Sequence, residues 1–86
     1  MELSETVKMM ASADYRERFR AEYEQTRIRT EKLHRMLVKY EAGTLSFTPT
    51  CPPALLKRQE TTMRAYLDIL EVRAEIEGID LEEATE

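Results

Sequence analysis

At 86 residues the chain is a single domain, short enough that its core calls for reinforcement by a staple or by assembly of copies. One cysteine, Cys51, excludes an intrachain disulfide, and no stretch approaches the ~18 consecutive apolar residues of a membrane span. The net charge of −4 argues against a DNA or RNA polymer as partner, and two Gly and three Pro are too few for a sheet protein that must turn often.

The opening segment, residues 1–12, sets Leu3, Val7 and Met10 at i, i+4 and i+7, the spacing of a short amphipathic helix with these three on its docking face. Residues 82–86 read as an acidic, fraying tail. Between them, residues 13–81 form the body of the domain. Asp14 is a good N-cap, and Glu17 three positions on suggests a capping box. From 14 to 42 one long helix is expected, with Phe19, Tyr23, Thr26, Thr30, Leu33, Leu37 and Tyr40 as an unbroken heptad seam. Two threonines occupy the centre of that seam, where they favour one register over a slipped one.

Gly43 is the expected C′ residue of this helix. The connector 43–52 carries Thr, Ser and Pro, which exclude helix, while Leu45, Phe47 and Cys51 are expected to pack against the helices. A second helix is expected over 53–77, opened by Pro53 and closed by Gly78, with Ile79 available for a Schellman contact. It carries two apolar lines. One is Leu56, Gln59, Met63, Tyr66 and Leu70; the other is Leu55, Thr62, Ala65, Ile69, Val72, Ile76 and Ile79. A helix with two apolar lines has two partners. The connector supplies the first, the antiparallel long helix. The second must be the N-terminal segment or another copy of the chain, and the small size favours another copy. The fold expected is therefore all-α: an antiparallel helical hairpin with a short N-terminal helix, forming a homo-oligomeric bundle.

Charge is divided unevenly. Residues 14–41 hold eight Lys/Arg against six Asp/Glu, whereas residues 59–86 hold two against nine. Metal binding needs clustered ligands, and one His with one distant Cys does not supply them. There is no Gly-rich phosphate loop, and Cys51 has no neighbouring base, so neither an enzyme nor a resident cofactor is expected. The constellation that stands out is Arg16, Arg20, Arg27 and His34 beside the seam, with Tyr15 and Tyr23 close to the line. Guanidinium forks grip phosphates bidentately and aromatic rings stack on bases, so this row suits a small anionic nucleotide. The same row can instead close salt bridges, to the Glu-rich second helix or locally from Glu24 to Arg27 and from Glu31 to Arg35.

The pattern Tyr15-Arg16-x-Arg18-Phe19, Glu22-Tyr23, Arg29, Lys32-Leu33, Leu55-Leu56, Gln59, Met63, Tyr66, Leu70, Arg73 and Gly78-Ile79 resembles the small crAss-related helical-hairpin proteins of tailed phages. The likeness covers roughly residues 13–81. It implies a phage-encoded protein in the cytoplasm of an infected bacterial host. In architecture such proteins are similar to phage sponge proteins that sequester the nucleotide signals of immune systems such as Thoeris and CBASS. That likeness implies an anti-defence role in which a cyclic ADP-ribose isomer or a cyclic dinucleotide is held without being cleaved. The alternatives left open are a protein-protein interaction module for a host or phage partner and a purely structural coiled-coil oligomer.

Overall fold

The computed structural model describes residues 2–81, so the acidic tail 82–86 lies outside the described residues. Three helices follow one another: α1 (Leu3–Met10), α2 (Tyr15–Ala42) and α3 (Pro53–Glu77), and no strand occurs among the described residues. At about 1.5 Å per residue α2 is about 42 Å long, which matches the 42 Å long axis of the molecule.

The helix ends follow from local chemistry. Asp14 has extended backbone and its Oδ1 accepts from the N–H of Arg16 at 2.9 Å. The reciprocal half of a capping box is made by Ser12, whose Oγ accepts from the Asp14 N–H at 3.0 Å, so Ser12 takes the role expected of Glu17. At the other end Gly43 is left-handed (φ 77°), with Thr44 N–H donating to Lys39 O and Gly43 N–H to Tyr40 O. That is a full Schellman closure. Gly78 (φ 68°) repeats the turn at the end of α3, where Ile79 N–H donates to Ala74 O at 2.8 Å. A left-handed backbone is what glycine supplies at no steric cost.

α2 and α3 run antiparallel. Side-chain bonds join Tyr15 to Glu77, Tyr23 to Glu71, His34 to Glu60 and Glu41 to Lys57, which fixes one register along the hairpin. Phe19, Thr26, Thr30 and Leu37 of the expected α2 seam are buried, Tyr23 and Leu33 are half-buried, and Tyr40 at the connector end is exposed. The central threonine is 1% exposed, and its hydroxyl donates to Thr26 O at 2.7 Å, so the polar layer is satisfied within its own helix.

On α3 the expected inner line shifts. Leu56, Met63 and Leu70 face α2 as expected, but Glu60 and Leu67 take the places given to Gln59 and Tyr66, and Ala74 extends the line. Tyr66 instead sits on the flank, its hydroxyl donating to Glu22 at 3.2 Å. Ile79 leaves the outer line as well. The turn at Gly78 folds it into the cluster of Phe19, Leu70 and Ala74, with Tyr23 and Leu81 packed against it.

α1 packs chiefly on α2. Its expected docking face is turned: Val7 and Met10 are exposed, while Thr6 is fully buried. Thr6 Oγ1 donates to Leu3 O at 2.6 Å and accepts from Gln25 Nε2 at 2.8 Å, and two partners make a buried hydroxyl tolerable. Gln25 lies on the face of α2 opposite α3, one turn from the fully buried Ala21. In the connector, Leu45 is half-buried, but Phe47 and Cys51 are exposed, contrary to the packing expected of them. Bends at 46–47 and 50–51 leave these two side chains on the surface, while Leu45 and Pro49 are half-buried.

Candidate functional site

The row Arg16, Arg20, Arg27 and His34 occupies one flank of the α2–α3 seam, with Tyr23 at its inner edge. Tyr15 falls on the opposite flank, because one residue before Arg16 lies about 100° away around a helix. Tyr15 donates to Glu77 Oε1 at 2.8 Å and accepts from Arg73 Nη2 at 2.9 Å, while the Arg73 guanidinium lies over the Phe19 ring at 5.1 Å. The carboxylate of Glu77 holds the Tyr15 phenol above its ordinary pKa.

On the first flank Arg16 Nη1 donates to Gly78 O at 3.1 Å, tying the start of α2 to the turn that ends α3. Arg20 is half-buried on the same flank. Arg27 grips Glu24 Oε2 through Nε and Nη2 at 3.2 and 2.7 Å, and reaches Glu31 Oε1 through Nη1 at 3.0 Å. The bond to Glu24 is the largest of the effects that raise the Arg27 pKa above its ordinary value. Glu31, expected to pair with Arg35, pairs with Arg27 instead. Glu24 is only 2% exposed, so its charge is neutralised in place by Arg27. Farther along, His34 Nδ1 donates to Glu60, which is shared with Arg64 Nη2 at 3.2 Å.

Beside Tyr23 and Arg27 the surface opens into a cleft of about 650 Å³, between α2, the last turns of α3 and the segment Gly78–Leu81. That volume is within the range of small-molecule sites. Its floor is apolar, from Ala74, Ile79 and Leu81; its walls carry the carboxylates of Glu24, Glu71, Glu75 and Asp80 and the guanidinium of Arg27. Tyr23 donates its phenol proton to Glu71 Oε2 at 3.0 Å. Burial first, and then that carboxylate, push its pKa up to about 12. The phenol is thus a fixed hydrogen-bond donor at neutral pH, with its ring forming part of the wall.

The structure therefore brings Tyr23 and Arg27 into one cleft, with Arg16 at its rim through Gly78, and leaves Tyr15 and His34 outside it. The carboxylates of Glu71 and Glu75 come from the Glu-rich second helix expected to face this row, whereas Asp80 carries no signal in the sequence. Glu71 and Glu75 stand one turn apart on α3, and the turn at Gly78 brings Asp80 round to them. Such a cleft offers acceptors for hydroxyl and amino groups, a ring for stacking and one guanidinium for an anionic group. No helix is long and apolar enough to cross a membrane among the described residues. No curated protein and no solved structure matches the chain significantly. The family model of Sequestin does match, over residues 13–76, which takes in all of α2, the connector and α3 up to its penultimate residue, and the chain belongs to that family.

Proposed function

We propose that this protein sequesters a small nucleotide-derived signal, holding it in the cleft at the open end of the hairpin without cleaving it. The observation that carries this reading is the cleft itself: about 650 Å³, with the Tyr23 ring and the Arg27 guanidinium on one wall. Sequestration is also what the name of the Sequestin family denotes. The carboxylates suit ribose hydroxyls and the exocyclic amine of a base, and Arg27 suits a phosphate. A phenol whose pKa is raised to about 12 is not activated as a nucleophile, which favours holding over cleaving. In this reading the chain is phage-encoded, of the crAss-related type, and works in the cytoplasm of an infected bacterium as an anti-defence protein. It does so as a homo-oligomer, because one apolar line of α3 has no partner among the described residues. Cyclic ADP-ribose isomers and cyclic dinucleotides are the ligands to try.

The experiment mixes purified protein with each of these nucleotides, measures the thermal shift, and recovers the ligand after denaturation. A shift with at least one, lost in Arg27→Ala, and recovery of intact ligand are expected. No shift with any would overturn the reading, and degraded ligand would overturn its non-catalytic part.

A further inference from the structure

α3 carries two apolar stripes about 150° apart around the helix at 100° per residue. The inner one is buried on α2. The outer one, Leu55, Thr62, Ala65, Ile69, Val72 and Ile76, faces solvent, with Ile69, Val72 and Ile76 exposed by 56, 61 and 78%. Three neighbouring β-branched side chains on a helix surface mark a face that meets another protein surface. The N-terminal helix does not cover it, as these exposures show.

We propose that the occupant is α3 of a second copy, packed antiparallel about a two-fold axis, and that this pairing completes the cleft. The proposal rests on the reading that the chain works as a homo-oligomer; it names the face, the direction and the register. The spacing of the stripe is the a/d repeat of a helix pair, which suits a helical occupant. Charge chooses the direction. Residues 53–65 carry Lys57, Arg58 and Arg64 against Glu60, while residues 66–77 carry Asp68, Glu71, Glu75 and Glu77 against Arg73. Antiparallel pairing sets the cationic half of each α3 on the anionic half of its mate; parallel pairing sets like on like. An isologous contact makes each such pairing twice.

The heptad also sets the register. Ala65 meets Ile69 at the centre, Thr62 meets Val72 next, and the aliphatic stem of Arg58 covers Ile76. Arg58 then lies against Glu75, and within the chain neither side chain makes an ion pair among the described residues. Glu75 is a wall of the cleft. Arg58 of the partner subunit therefore arrives at the rim and adds a cation beside Glu75. The register has one unfavourable element: Asp68 lies nearest its own symmetry mate.

The test is a charge swap followed by sedimentation equilibrium, with circular dichroism to check the fold. Arg58→Glu and Glu75→Arg each place like charges together, and each is expected to weaken self-association about tenfold. The Arg58→Glu, Glu75→Arg double variant restores the pair and is expected to return within about threefold of the parent. A parent that associates but whose association the single variants leave unchanged, or the double variant fails to restore, overturns this face and register while leaving the homo-oligomer reading intact. A parent that stays monomeric at every concentration overturns both.

Discussion

The two faces of α3 are almost equally apolar, yet their surroundings are opposite. Leu70 on the inner face is 1% exposed, whereas Ile76 on the outer face is 78% exposed. The inner face owes its burial to register: the hairpin bonds lock it onto α2. The outer face has the same periodicity and no partner among the described residues. Apolar spacing thus says that a helix has faces to bury, and only the placement of the other elements says against what.

The largest expected effect breaks the inner face. Leu70→Ala leaves a cavity beside Phe19, Ala74 and Ile79 and should destabilise the chain by about 2–5 kcal/mol in urea unfolding. Ile76→Ala on the outer face should change the unfolding of the isolated chain by less than about 0.5 kcal/mol and lower only the concentration dependence of its stability.

A smaller effect lies at the seam between them. The Tyr23 phenol has its pKa raised from 10.0 to about 12 in the folded chain. A group whose pKa is raised on folding contributes stability that is complete below its unfolded value and is lost as pH rises through the folded one. Thermal stability should therefore fall between pH 10 and about 12, and Tyr23→Phe should flatten that part of the profile.

The smallest effect belongs to the connector end. Lys57 Nζ meets Glu41 Oε1 at 2.8 Å, and although each raises or lowers the other's pKa, both are exposed. Lys57→Ala should leave the urea-unfolding midpoint almost unchanged, and wholly so at high salt.

Helix boundaries were legible in the sequence because their signals are local. Asp14, Gly43, Pro53 and Gly78 each act through their own backbone, and each stands at or beside a helix end as read. Facing was less legible. Advancing from Gln59 and Tyr66 to Glu60 and Leu67 keeps the same heptad spacing, so periodicity alone does not separate them. Thr6 escaped notice because a polar residue looks like a solvent position, while its burial depends on Gln25, nineteen residues away. Of the candidate site, the Arg27 and Tyr23 wall was visible. Asp80 and Leu81 of the opposing wall were not, since only the turn at Gly78 carries them back beside α3.

The hairpin is closed at one end by its connector and open at the other. Paired side chains are 16 residues apart in sequence at Glu41 and Lys57, and 62 apart at Tyr15 and Glu77. Loop-closure entropy grows with that separation, though slowly. Zippering outward from the connector therefore reaches the cleft last. The buried cluster of Phe19, Leu70, Ala74 and Ile79 lies at that far end, so side-chain packing there, not chain connectivity, keeps the cleft in shape.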